Sequence, residues 1–223
     1  MKLIEHIRKK LSDNTATPKA VKGNVELFID DQIPEEINIS EFIKVVEKAL
    51  PPHFFNHVNS IHIGNYDFLL KNNLKSYYKD GKIYLTANES SLMHLAYDLF
   101  HEVAHSLEGP FAELVYSDGA LKKEFLNKRD TFERFLNVYF PETQKYSFKN
   151  TKYNKEFDEL LHKRIGYDRL RHFSDGIFVS PYAATSLREY FATGLENYIE
   201  GNRESLYRQS PILYNKIKSL FNE

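Results

Sequence analysis

Five consecutive residues, His101-Glu102-Val103-Ala104-His105, combine two metal-binding side chains with one that can accept a proton. In a helix, residues four apart lie slightly more than one turn from each other, so both imidazoles can share one ion. Glu102 points off that face, but it can reach a water on the metal. The pattern predicts zinc, which lowers the pKa of a bound water to about 7. Glu102 would take the proton of that water as it attacks a carbonyl.

The residues around this motif favour a helix that is packed on one side and open on the other. One stripe at helical spacing is apolar and comprises Leu92, Leu95, Leu99 and Val103. The opposite stripe is polar and comprises His94, Asp98, His101, His105 and Glu108. The alternative interpretation is a solvated helix face that carries two ordinary histidines.

A catalytic zinc usually has a third protein ligand and keeps one position for water. The extended motif H-E-x-x-H-x-x-G-x-x-H, which supplies a third histidine, is absent. It requires Gly at position 108 and His at position 111, where this chain has Glu and Phe. Four candidates lack a supporting pattern: Glu108, which we expect to support a ligand or face solvent, and Glu113, His162 and His172. Glu189 is the best candidate, since apolar neighbours would pack its helix against the core. The spacing Ser186-x-x-Glu189 fits a capping box equally well, and the local residues do not separate the two.

Composition narrows the possible functions. The chain has 223 residues and no cysteine, which excludes disulfide scaffolds, thiol catalysis and thiolate zinc sites. A net charge of -1 gives no bulk attraction to nucleic acid. No run approaches 18 apolar residues, so we expect no membrane span. Charged residues near Met1 replace the apolar part of a signal peptide, which favours a cytoplasmic protein, with leaderless secretion as the alternative.

The elements that must position these residues are strands early in the chain and helices later. We expect strands at 25–29, 60–63, 82–86 and 177–179, and helices at 40–50, 90–107, 120–140, 155–172, 186–199 and 211–222. This order predicts an α+β fold with a small N-terminal mixed sheet, an active-site helix and a mainly helical C-terminal part. Residues 1–23 are predicted to form a helix and linker, and residues 24–223 a single domain.

The motif, together with Tyr182 and Glu189 in the pattern Tyr-x6-Glu-Tyr-Phe-Ala, resembles a family of zinc metallopeptidases. This family contains the catalytic domain of anthrax toxin lethal factor and the Pro-Pro endopeptidases. The resemblance implies a zincin-like (thermolysin-type, gluzincin) domain that binds one Zn2+ per chain through His101, His105 and Glu189. It also implies Glu102 as the general base and Tyr182 as a residue that assists the transition state.

The resemblance extends to residues 80–86, which are similar to the edge strand that pairs with an extended substrate in this family. Two features depart from the family. Eighty-three residues (106 to 188) separate His105 from Glu189, so residues 115–172 are predicted to be a helical insertion. Thr193 replaces a second acid of the ligand helix, which removes one expected contact to a zinc-bound histidine.

The sequence therefore predicts a zinc-dependent metalloendopeptidase that acts on a peptide or protein substrate, with a preference near proline implied by the resemblance. The alternative function is a non-enzymatic protein-binding module that uses the helical insertion of a zincin scaffold. We expect no nucleic-acid partner, and the sequence leaves the oligomeric state open.

Overall fold

The computed structural model describes residues 19–21 and 25–221. It has an α+β architecture with one small mixed sheet and a mostly helical remainder. The chain divides into two compact units, residues 1–106 and residues 107–223, which are described in turn. The predicted N-terminal helix lies outside the described residues, and Lys19–Val21, within the predicted linker, forms a strand. Among the described helices, none combines the length and the apolar character needed to cross a membrane.

The first unit is built on a five-stranded sheet with the order β1-β2-β3-β5-β4. The strands are β1 (Lys19–Val21), β2 (Val25–Ile29), β3 (Ser60–Gly64), β4 (Ser76–Lys79) and β5 (Lys82–Thr86). The central pairs β2–β3 and β3–β5 are parallel, and the outer pairs β1–β2 and β4–β5 are antiparallel. Leu27, Ile61 and Ile83 are in register across the sheet and are fully buried, so this face belongs to the core.

The prediction that residues 80–86 form an edge strand is wrong. Strand β5 pairs with β3 on one side and with β4 on the other, so β4 is the edge. Asp80 and Gly81 both have positive φ, of 50° and 78°, and close a two-residue hairpin between β4 and β5. The positive φ of Gly81 favours glycine, and a Cβ there would also lie 2.5 Å from the Asn59 side-chain amide, which would have to move.

Three α-helices belong wholly or mainly to the first unit. Helix α1 (Ile39–Ala49) begins at Asn38, whose side chain accepts the Glu41 N–H, and helix α2 (Asp67–Asn72) is short. Helix α3 (Leu92–Glu108) contains the His-Glu motif and runs two residues past the division between the units. The predicted helix at 90–107 is therefore confirmed within two residues.

The second unit is helical. Its α-helices are α4 (Ala112–Tyr116), α5 (Ala120–Tyr139), α6 (Lys155–Glu159), α7 (Tyr167–Ser174), α8 (Leu187–Ile199), α9 (Arg203–Gln209) and α10 (Pro211–Phe221). A π-helix, Leu160–Gly166, joins α6 to α7. The predicted helix at 155–172 is thus divided, because Gly166 has φ of 91° at its centre.

The predicted strand at 177–179 is wrong. No described strand includes these residues, and the chain turns at Gly176 with φ of 71°. Phe178 instead buries its ring edge-on against Phe125, Phe132 and Tyr190, with centroid distances of 6.0, 5.8 and 5.7 Å. Aromatic packing against helices therefore replaces strand pairing here.

Helix α5, in the predicted insertion, is hydrogen-bonded to the C-terminal helices of the same unit. The Glu124 carboxylate accepts the Tyr190 hydroxyl at 2.9 Å and the N–H groups of Ile212 and Leu213 at 2.8 and 3.0 Å. Lys128 donates to the carbonyl of Gln209 at 2.7 Å. The segment is therefore an integral part of the second unit.

Candidate metal centre

Helix α3 presents the two motif histidines on one face. Their rings are 4.9 Å apart between centroids and nearly perpendicular, at 82°. Of the predicted apolar stripe, Leu95, Leu99 and Val103 are completely buried on the other face, and Leu92 is half-buried. Burial of that stripe fixes the rotation of α3 about its axis and leaves both imidazoles partly exposed.

Glu102 is only 5% exposed, and Ser76 of the edge strand holds its carboxylate. The Ser76 hydroxyl donates to Glu102 Oε1 at 2.6 Å. This bond fixes one oxygen of the carboxylate and leaves the other for a further proton or donor. Sequence analysis did not identify Ser76. The Asp80-Gly81 turn is the signal that could have found it, because a hairpin turn requires a strand on each side.

Glu189 lies in the first turn of α8. Ser186 caps this helix, and its Oγ accepts the Glu189 backbone N–H at 3.2 Å. One ring nitrogen of His101, one ring nitrogen of His105 and a carboxylate oxygen of Glu189 all lie within 4.8 Å of one another, so the three residues could hold a metal ion. Glu189 therefore takes part in both arrangements. Its backbone N–H is capped by Ser186, and its carboxylate lies with the two histidines.

The other ligand candidates are placed differently. Among the described residues, no metal-binding group of three donors includes Glu108, Glu113, His162 or His172. Glu113 and His172 are exposed, and the His162 ring packs on Tyr167 at 4.9 Å. Thr193, at the position of the missing acid, donates its hydroxyl to the Glu189 carbonyl at 2.6 Å within its own helix.

Glu108 anchors the residue next to Glu189. Its two carboxylate oxygens accept the Arg188 Nε–H at 3.0 and 2.9 Å, and the Tyr116 hydroxyl donates to it at 3.1 Å. The Glu108 side chain is 11% exposed and the Arg188 side chain is 61% exposed, so a largely buried carboxylate meets a guanidinium that faces solvent. The contact joins Glu108, the last residue of α3, to the residue that precedes Glu189.

Tyr182 lies in a short 3-10 turn, Tyr182–Ala184, that precedes α8. Burial raises the pKa of its hydroxyl, and the negative charges of Glu189 and Asp158 raise it further. Tyr182 therefore stays protonated at neutral pH and is available as a hydrogen-bond donor. Asp158 itself accepts the hydroxyls of Tyr153 and Tyr167 at 2.9 and 2.7 Å.

The donor set fits zinc. Two imidazole nitrogens and one carboxylate oxygen are ligands that zinc accepts, and three protein ligands leave one position for water. Glu102, between the two histidines in sequence, is available as a base beside this group. The arrangement is suited chemically to hydrolysis of a carbonyl compound.

Comparisons of this chain with protein-family models, with curated proteins and with solved structures give no match.

Proposed function

We propose that the protein is a zinc-dependent metalloendopeptidase of the zincin (gluzincin) type. The observation that carries the proposal is the grouping of donor atoms of His101, His105 and Glu189 within 4.8 Å. The buried Glu102 lies on the helix that carries the two histidines. The resemblance of the motif and of Tyr-x6-Glu to the lethal factor and Pro-Pro endopeptidase family adds support from the sequence.

Each residue has a distinct role in this proposal. His101, His105 and Glu189 hold the ion, which, when bound, acidifies a water ligand and polarises the substrate carbonyl. Glu102 accepts the proton of the attacking water and delivers it to the leaving amine. Ser76 holds one oxygen of Glu102, so the other oxygen keeps a fixed direction. Tyr182, protonated at neutral pH, donates a hydrogen bond to the developing oxyanion.

The edge strand β4 is the proposed substrate-binding strand. No strand pairs with its outer side in the part of the chain that the structure describes. An extended peptide can add to such an edge through backbone hydrogen bonds, largely independently of its sequence. Because Ser76 of β4 bonds directly to Glu102, a peptide on this edge would pass close to the base.

Peptide cleavage by zinc-loaded wild type and Glu102→Gln tests the proposal. The variant preserves the shape of the side chain and removes its basicity. We expect wild type to cut internal bonds of peptides in a mixed library that includes proline-rich members. The variant should bind one zinc and cleave about 100- to 10,000-fold more slowly, the usual contribution of a general base. One zinc per chain with no cleavage of any library peptide would contradict the enzymatic proposal.

Exposed apolar side chains of α5 favour the alternative, a protein-binding module. Phe135, Val138 and Tyr139 are 48%, 72% and 61% exposed. Binding of a partner to this surface should be abolished by Phe135→Ser and unaffected by Glu102→Gln. Binding of a peptide substrate should be unaffected by Phe135→Ser. Deletion of residues 115–172 is not a suitable test, because α5 is bonded to α8 and α10.

A further inference from the structure

A second candidate site lies in the helical unit and is independent of the metal centre. It is a cavity of about 60 Å³ beside the buried side chain of Arg129. The polar residues that line it are Arg129, Ser147, Asn150, Lys152, Asn154 and Thr185. Two of its eight lining residues are cationic and none is a carboxylic acid. The cavity therefore has a positive lining and an uncompensated charge at its base.

Arg129 is 1% exposed and incompletely hydrogen-bonded. Its Nη1 donates to the carbonyl of Asn150, and its buried Nε–H has no partner. Among the described residues, no carboxylate forms an ion pair with this guanidinium, and Glu133 acts on it only at longer range. A buried charge without a counterion is costly, so the site is electrostatically prepared for an anion.

Aromatic rings fix the guanidinium in place. The ring centroids of Phe125, Phe148 and Phe157 lie 5.4, 5.4 and 4.5 Å from its central carbon. Such cation–π contacts hold the planar group in one orientation but supply no negative charge. The guanidinium of Arg129 is thus held rigidly, and such a planar fork of N–H groups is suited to recognition of an oxyanion.

We propose that this cavity binds a small tetrahedral oxyanion, inorganic phosphate or sulfate, between Arg129 and Lys152. A water molecule needs about 10–15 Å³ of such space, so the cavity holds about four to six water-sized groups. Phosphate and sulfate each have five heavy atoms and fill it. The exposed Lys152 and the Asn154 amide lie at the opening, where they complete a set of donors around the anion.

The bound anion would stabilise the segment that leads toward Glu189. Residues 146–154 contribute most of the lining, and the carbonyl of Thr151 accepts the N–H of Leu187, the first residue of α8, at 2.9 Å. An anion that holds this segment against α5 therefore supports the start of the helix that carries Glu189. The site itself requires neither zinc nor catalysis.

Calorimetric titration of the full chain with sodium phosphate and with sodium sulfate, at constant ionic strength, tests the proposal. We expect one saturable site per chain. Lys152→Gln should weaken binding about tenfold or more, because it removes one charged hydrogen bond. The matched control, Lys149→Gln, removes an exposed lysine of the same segment that does not line the cavity, and binding should stay within about twofold of wild type.

Two further variants complete the test. Arg129→Lys keeps a positive charge but loses the planar guanidinium, and it should abolish measurable anion binding. If Arg129→Lys does not fold, the result for Lys152→Gln tests the proposal. His105→Ala should bind phosphate as wild type does, which separates this cavity from the metal centre. The proposal is overturned if neither anion binds saturably at up to about 50 mM, a concentration well above weak specific affinities. Equal weakening by Lys149→Gln and Lys152→Gln, or loss of binding in His105→Ala, would also overturn it.

Discussion

Ser76 and Glu102 are joined by a hydrogen bond of 2.6 Å between the serine hydroxyl and Oε1 of the carboxylate. Ser76 begins the edge strand β4, and Glu102 lies between the two histidines of α3. The bond therefore connects the strand available to an extended peptide with the side chain proposed as the base. A base held by a third group is a common feature of catalytic sites, because its direction must be fixed before the reaction.

Ser76→Ala should lower kcat about tenfold and leave KM and zinc affinity nearly unchanged. The lost interaction is one hydrogen bond to a charged group, and it orients the base without contacting the ion. Ser76→Thr keeps the hydroxyl and should recover most of the rate. Steady-state kinetics and zinc titration measure both effects, with Ser117→Ala as a control on an exposed serine. An increase in KM with unchanged kcat would show that Ser76 contributes to peptide binding alone.

Arg188→Met should weaken zinc binding about tenfold, although Arg188 is not a ligand. Its guanidinium holds Glu108 at the end of α3, and the next residue is Glu189. Groups that orient metal ligands typically contribute 10- to 100-fold to affinity. Competition titration with a chelating dye measures this change. The charge reversal Glu108→Arg with Arg188→Glu should restore part of the affinity, and unchanged affinity in Arg188→Met would rule out this positioning role.

The helix that carries His101 and His105 was predictable from sequence because its determinants are local. Apolar residues at helical spacing required one buried face, and the burial of Leu95, Leu99 and Val103 follows from that pattern. The histidines four apart then had to share the opposite side. The local residues left Glu189 open as either a cap or a ligand, since the decision depends on contacts between distant parts of the chain.

The features that were missed depend on contacts across many residues. Strand β4 is four residues long, and its position as the edge is set by pairing with β5. The course of residues 177–179 is set by the burial of Phe178 against rings of α5 and α8. Arg129 had a local signal, because it lies at helical spacing in line with apolar residues of α5 that are buried, namely Leu121, Phe125, Phe132 and Leu136. Its aromatic surroundings could not be read from that signal.

Glu124→Ala should destabilise the second unit by about 2–4 kcal/mol. The substitution removes the acceptor of three hydrogen bonds and leaves the N–H groups of Ile212 and Leu213 without their cap. Urea unfolding followed by circular dichroism measures the loss, with Glu142→Ala as an exposed control. A change smaller than about 0.5 kcal/mol, typical of a surface position, would contradict the role of this carboxylate.

Lys128 should make the free energy of unfolding depend on pH in the alkaline range. Burial lowers its pKa to about 8, whereas the unfolded side chain titrates near 10.4. Between these values the unfolded chain binds a proton that the folded chain does not, so this group raises the unfolding free energy as pH increases. Wild type should therefore gain stability relative to Lys128→Met between pH 8 and 10, by at most about 1.4 kcal/mol per pH unit. Urea unfolding at pH 7.5 and 9.5 measures the difference, and a constant or falling difference would contradict the lowered pKa.

The amount and affinity of bound zinc test the central claim most directly. We expect one zinc per chain in wild type by elemental analysis. His105→Ala and Glu189→Ala should each weaken binding by at least about 100-fold, since each removes one of three protein ligands. Glu196→Ala, on the same helix as Glu189, should bind zinc as wild type does. Wild type without zinc, or Glu189→Ala with wild-type affinity, would contradict the assignment of His101, His105 and Glu189 as the metal centre.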